Sequence, residues 1–323
     1  MRVVVTGARG KVGSAAVHAL QRAGHEVVAT DLGRASFERT DPAEPAYVQA
    51  DLTDAGQAFA LLHDLDVVVH CAAIPEPTHN PAHVVFQTNL MTTFNVVEAA
   101  IRAGATRMVN LSSETAPGFF FPARPFLPEY LPVDEGHPLW PQDPYATSKV
   151  FGEQLMDAAV RRSDIRATTI RPSWVQWEAT AEWNLGPYLR DPTLAQAGYH
   201  SYIDVYDLAD AVVRAVESDL AGHEVFYIAA PDNIGGRDFA ELVRSVYDPA
   251  IPLRPLSRPD ASGISSAKAE RLLGWRARRS WRDYLTGEGR LLPEVAAALS
   301  EARPQLPTVP LVGPGSAPAG AGA

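Results

Sequence analysis

The chain opens Met1-Arg2-Val3-Val4-Val5-Thr6-Gly7-Ala8-Arg9-Gly10-Lys11-Val12-Gly13-Ser14-Ala15-Ala16-Val17, and the reading of this stretch decides the fold. An apolar run of strand type passes through a turn with three glycines into a run of helix formers. The first glycine permits the tight turn, the second lets backbone approach a pyrophosphate, and the third lets helix and strand pack closely, with phosphates at the helix N-terminus. Arg9, Lys11 and Val12 stand between these glycines and share their cofactor-binding turn. A second apolar run, Glu26-Val27-Val28-Ala29-Thr30, ends in Asp31, whose carboxylate is placed to accept hydrogen bonds from an adenosine ribose. Strand, turn, helix, strand and acid in this order predict a dinucleotide-binding unit.

Outward from that unit the pattern repeats. Apolar runs with little alternation at Tyr47 to Ala50, Val67 to Cys71, Met108 to Leu111 and Ala167 to Arg171 are separated by helical segments. Such runs predict a doubly wound parallel sheet covered on both faces. The spacing predicts long helices over 81–103 and 144–162, the second with Pro144 at its first position. Further on, Tyr202 to Val213 reads as a strand feeding a helix, Glu224 to Ala229 as the last strand, and 237–247 and 267–273 as helices. Residues 1–172, completed by segments near 200–230, are predicted to form the dinucleotide-binding domain. Residues 173–302 make a smaller substrate lobe, and 303–323, dominated by Pro, Gly and Ala, a disordered tail.

A second chemical signal stands in Asp143-Pro144-Tyr145-Ala146-Thr147-Ser148-Lys149. Lysine occurs three times in the chain against twenty-five arginines, and one copy follows Tyr145 by one helical turn. The pair shares a helix face. A lysine ammonium is a compact charge that sits beneath a phenol and takes part in proton relay, which a planar, always protonated guanidinium does not. Between the two motifs, 117–144 carries eight prolines with Phe119, Phe120, Phe121, Phe126, Tyr130 and Trp140, a composition that predicts an ordered, pocket-lining loop.

Bulk properties exclude other classes. A net charge of −10 with no basic stripe argues against nucleic acid as a partner. No apolar stretch reaches the length of a membrane span, so no membrane partner and a cytoplasmic location are expected. The single cysteine, Cys71, rules out an internal disulfide and reads as a buried strand-end residue. No acidic or histidine cluster has metal-ligand spacing, and no metal is expected.

With these residues in view, the sequence resembles the extended short-chain dehydrogenase/reductase family, also called the NAD-dependent epimerase/dehydratase family, over roughly residues 1 to 285. The spacing Thr6-Gly7-x-x-Gly10-x-x-Gly13 is that of the extended branch. The resemblance implies a Rossmann-type fold with Asp51-Leu52 near adenine and Ala72-Ala73 near the cofactor. It places Asn89, with Thr93, in the helix motif that follows, and Pro172 at the step that closes on the nicotinamide. It also implies a homodimer built on the two long helices. Tyr145 is then the general acid/base, Lys149 and the positive charge of an oxidised nicotinamide lower the phenol pKa toward working pH, and Ser113 is the hydroxyl that holds the substrate oxygen. Ser112 competes with Ser113 for that role and otherwise belongs to the cofactor site. Gly118, five residues after Ser113, favours Ser113.

The implied reaction is hydride transfer between NAD and a secondary alcohol or ketone of a sugar or sugar-like molecule, with a sugar-nucleotide epimerase as the alternative and a non-catalytic dinucleotide sensor as a third reading. Sugar-nucleotide dehydratases of the family carry Asp-Glu after the catalytic hydroxyl. Glu114-Thr115 stands here, and threonine does not replace the second carboxylate as a base, so 4,6-dehydration is disfavoured. Gly118-Phe119 after the serine pair resembles uronate dehydrogenases and favours net oxidation. Glu114 and Trp174 are the expected substrate contacts together with Ser113. Asp31 opposes a 2′-phosphate and points to NAD, while Arg9 and Arg34 occupy positions where NADP-binding relatives carry cations, which keeps NADP as the alternative.

Overall fold

The computed structural model of the chain describes residues 1–33 and 45–301. Arg34 and the 303–323 tail lie outside the described residues. Seven strands form one parallel sheet in the order β3-β2-β1-β4-β5-β6-β9. They are β1 (Arg2–Thr6), β2 (Glu26–Asp31), β3 (Ala46–Gln49), β4 (Val67–His70), β5 (Arg107–Leu111), β6 (Arg166–Pro172) and β9 (His223–Ile228). Two short strands, β7 (Val175–Gln176) and β8 (Ile203–Asp204), pair with each other between β6 and β9. Each expected strand is present within two residues of its predicted bounds. The strand order reverses between β1 and β4, and this opens a crevice beyond their carboxyl ends.

The near-continuous apolar runs have a direct cause: alternate residues of a strand serve opposite faces, and both faces are covered. Val3, Val5, Val67 and Val69 pack with α1 (Lys11–Arg22) and α7 (Val205–Glu217). Val4, Val28, Val68 and Met108 pack on the other face with α2 (Ala55–Leu61), α3 (Ala82–Arg102) and α4 (Pro144–Arg162). Helix α4 starts where the sequence places it. Pro144 fills the first turn, where no amide hydrogen is required, and the Asp143 carboxylate accepts the Ala146 N–H at 2.8 Å.

Past β6 the chain adds α5 (Glu178–Asn184), α6 (Gly186–Arg190), α8 (Phe239–Val246), α9 (Ala267–Leu273) and α10 (Pro293–Glu301). Two smaller cores form among these segments. One overturns the reading of the 117–144 loop as a pocket wall: Phe119 is buried with Leu131, Val133, Tyr199, Tyr227 and Phe239, stacked on Phe120 at 5.0 Å and edge-on to Tyr199 at 5.5 Å. Rings able to cover one another leave water together, so the loop carries its own core. Cys71 does follow β4 but is only half-buried, because its backbone borders the crevice beside Gly7.

Candidate active site

Seven of the expected cofactor residues converge on one cavity of about 280 Å³ at the switch point. Gly7, Gly10, Asp31, Asp51, Leu52, Ala72 and Ala73 line it, together with Cys71, Thr88 and Thr92. The glycine turn fits a pyrophosphate by construction. Gly7 has φ +63, and a Cβ there would lie 2.6 Å from the Ala72 nitrogen; a Cβ on Gly13 would lie 2.0 Å from the Gly7 carbonyl oxygen. The small pair Ala72-Ala73 is thus the other half of the turn. Asp31 is fixed by two backbone donors, Leu32 N–H to Oδ1 at 2.7 Å and Arg9 N–H to Oδ2 at 3.0 Å. The Arg9 side chain turns away from this carboxylate and lies over the Tyr47 ring, 5.2 Å from its centroid.

Two asparagines of α3 hold the loops of this cavity from behind. Asn89 accepts the Ile74 N–H and donates to the Ile74 carbonyl and Ser148 Oγ, and Asn95 donates to the carbonyls of Leu52 and Thr53. Asn89, expected as a cofactor contact, has both ends of its amide committed and does not line the cavity; it positions residues 72–74. Lys11 likewise reaches across the crevice, its Nζ donating to the Val175 carbonyl at 3.1 Å. Val12 and Pro172 are half-buried at the turn and at the end of β6. Thr88 and Thr92 are cavity residues that sequence reasoning did not assign to the site. Their spacing of four was the available signal, but helix periodicity does not say which face meets a cavity and which meets core.

At the end of β5 the structure brings together Ser113, Tyr145 and Lys149. The Ser113 hydroxyl stands near enough to the Tyr145 phenol to ease its ionisation, and it accepts the Thr115 N–H at 3.1 Å. Lys149 Nζ donates to the Leu111 carbonyl at 2.8 Å and stands 5.6 Å from the Tyr145 ring centroid. The two serines separate clearly. Ser112 donates to Glu153 at 2.5 Å, and Glu153 is held by the Arg171 guanidinium at 2.8 and 2.6 Å, all buried. The Ser112 side chain is therefore tied into a buried ion pair.

Without the charge of an oxidised nicotinamide, burial pushes the phenol up to about 12, against a smaller opposing effect of the nearby Ser113 hydroxyl, and the carboxyls of Asp143 and Glu114 add to the rise. Lys149 is itself lowered to about 8 by burial, and its ammonium serves the Leu111 carbonyl. In the protein alone the tyrosine is a loaded acid. Glu114 is buried, is raised to about 8 by burial, and accepts from Ser173 and Ser201. Trp174 is half-buried and meets Tyr188 edge-on at 6.2 Å. Among the described residues no group of His, Cys, Asp and Glu is arranged to hold a metal ion, and no helix is long and apolar enough to cross a membrane.

Known proteins resemble the chain along most of this architecture. The model of the NAD dependent epimerase/dehydratase family matches residues 3–176. A UDP-glucose 4-epimerase of Corynebacterium glutamicum is 26% identical over 309 residues, covering 85% of this chain and 90% of its own. An L-arabinose 1-dehydrogenase (NAD(P)(+)) of Haloferax volcanii is 30% identical over 224 residues, 68% of this chain and 84% of its own. A solved structure of a mutated uronate dehydrogenase shares the fold with a TM-score of 0.62 at 24% identity, over 87% of this chain and 84% of that one.

Proposed function

Because the chain belongs to the NAD dependent epimerase/dehydratase family, we propose that it is an NAD-dependent oxidoreductase moving hydride between the cofactor and a secondary alcohol or ketone of a sugar or sugar-like substrate. The observation that carries this reading is the meeting of Ser113, Tyr145 and Lys149 at the end of β5, beside a cavity whose glycines admit a pyrophosphate. NAD, when bound, accepts or returns the hydride. Gly7, Gly10 and Gly13 with Ala72 and Ala73 would hold its phosphates and Asp31 its ribose, where a 2′-phosphate would meet negative charge. Asp51 and Leu52 stand at the adenine end.

Tyr145 exchanges the proton of the substrate hydroxyl while Ser113 holds the same oxygen. Burial keeps the phenol protonated, so the resting side chain is ready to donate to a ketone; in the oxidising direction it must first reach the phenolate, a charge that an oxidised nicotinamide would favour. Residues 173–302 are read as the substrate side, with Trp174 at its wall. A sugar-nucleotide epimerase is the second reading, supported by the similarity to a UDP-glucose 4-epimerase over 85% of this chain. Met91, Phe94 and Phe151 leave apolar surface exposed on the paired helices α3 and α4, which supports a homodimer through this face. The lone half-buried cysteine accords with a cytoplasmic protein.

The test is absorbance at 340 nm with NAD and L-arabinose, D-galacturonate or UDP-glucose. Net NADH from a free sugar is expected, with a loss of about 10²–10⁴-fold in Tyr145→Phe at undiminished NAD binding. A flat trace with conversion of UDP-glucose to its 4-epimer would establish the second reading. No reaction with any of these by a protein that binds NAD tightly would leave a sensor.

A further inference from the structure

Beneath the crevice, the last residues of its two flanking strands face each other: Thr6 of β1 and His70 of β4 are register partners, and both are buried. Two residues earlier on the same face the partners are Val4 and Val68, members of the apolar core against α3. Packing alone would continue that pattern. A polar chain stands here instead.

Two threonines bracket the imidazole. Thr6 Oγ1 lies 2.8 Å from Nδ1, and Thr93 Oγ1 of α3 lies 3.1 Å from Nε2. The Thr93 hydroxyl donates its one hydrogen to the Asn89 carbonyl at 2.9 Å, so toward His70 it only accepts, and Nε2 carries the proton. Burial and the nearby Lys149 charge hold the imidazole neutral, with its pKa lowered to about 3. Nδ1 is then a bare lone pair, and the Thr6 hydroxyl donates to it.

That leaves the two lone pairs of Thr6 Oγ1, and two amides meet them. Cys71 N–H, shared with the Thr6 carbonyl, and Ala72 N–H each donate to Oγ1 at 3.2 Å. These amides belong to the segment that abuts the glycine turn, where a Cβ on Gly7 would lie 2.6 Å from the Ala72 nitrogen. Cys71, Ala72 and Ala73 line the cavity together with Gly7 and Gly10. Every hydrogen in the chain therefore has one direction. With an apolar ring at position 70, the Thr6 hydrogen would have no acceptor, and the hydroxyl would rotate its lone pairs away from the amides.

We propose that His70 is a positioning residue for the dinucleotide: by taking the Thr6 hydrogen it aims the Thr6 lone pairs at the Cys71 and Ala72 amides and so holds the 71–73 wall at its set distance from the glycine turn. His70 does not itself line the cavity and acts through Thr6. The inference rests on the reading of the crevice as the NAD site.

NAD affinity is measured by isothermal titration calorimetry on wild type, His70→Phe, Thr6→Val, the double variant and Thr6→Ser, with thermal melting beside each. His70→Phe and Thr6→Val should each weaken NAD binding roughly tenfold in folded protein, and the double variant no further than either alone, since both break the same chain. Thr6→Ser, which keeps the hydroxyl, should recover affinity to within about threefold of wild type. In turnover of L-arabinose, His70→Phe should raise KM for NAD more than it lowers kcat. Where His70→Phe does not fold, His70→Asn, too short to reach both threonines, takes its place. Affinity within about twofold of wild type in the folded position-70 variant, losses that add in the double variant, or a Thr6→Ser as weak as Thr6→Val overturns the proposal and leaves the NAD site standing. A wild type that takes up no NAD overturns the cofactor reading as well.

Discussion

Ser112 and Ser113 are adjacent hydroxyls with unlike tasks, and their difference is measurable. Ser113→Ala should lower kcat on the order of tenfold or more at unchanged melting temperature, because it removes the hydroxyl that stands beside the Tyr145 phenol. Ser112→Ala should do the opposite, leaving Glu153 one donor short beside Arg171 and lowering the denaturation midpoint by about 1–3 kcal/mol equivalent. Glu114 adds a pH signature. Its folded pKa, about 8, lies above the ordinary 4.5, so between these values the unfolded carboxyl has released its proton and the folded one has not. Folding stability contributed by this group therefore falls as pH rises through that window and is level above it, by on the order of a few kcal/mol. Urea denaturation at pH 5 and pH 8 should show this decline in wild type and its absence in Glu114→Gln. Sequence reasoning found Tyr145, Lys149 and Ser113 because each is a chemical type at a fixed spacing. It did not show the rise of the Tyr145 pKa in the protein alone, because burial depends on what the rest of the chain packs around the phenol.

Among the elements, the glycine turn was the most legible because its requirement is steric and local. Gly13→Ala would drive a methyl into the Gly7 carbonyl, so the turn or α1 must shift. A destabilisation of about 1–3 kcal/mol and a loss of NAD affinity of at least tenfold are expected, read by thermal melting and by fluorescence titration. The parallel strands were equally readable, since burial on both faces forces nearly unbroken apolar runs. The 117–144 loop was not. Proline and aromatic residues without a period announce order but do not say what the rings will meet, and here Phe119 meets Tyr199 and Phe239, distant in sequence. Thr88 and Thr92 were hidden for the same reason: a threonine on the inner face of α3 has one signature whether it touches core or cavity.

At the scale of the whole molecule, three exposed apolar side chains, Met91, Phe94 and Phe151, lie where α3 and α4 pack together, with Phe86 and Phe151 edge-to-face at 5.8 Å. Phe94→Glu is expected to convert a dimer to a monomer in light scattering at micromolar concentration with the Tyr145 site intact; a wild-type protein already monomeric there would remove the dimer proposal. The sheet has a further property. Strand β6 ends the run of consecutive strands at residue 172, but its outer edge is covered only by β9, fifty residues later. During synthesis the first 172 residues therefore leave the ribosome with Ala167, Thr169 and Arg171 offering unpaired backbone groups to any passing strand. The nascent chain carries this adhesive border until residue 228 has emerged, so a cut at the apparent domain boundary would yield a fragment prone to clump, and the two halves of the sequence must be made as one.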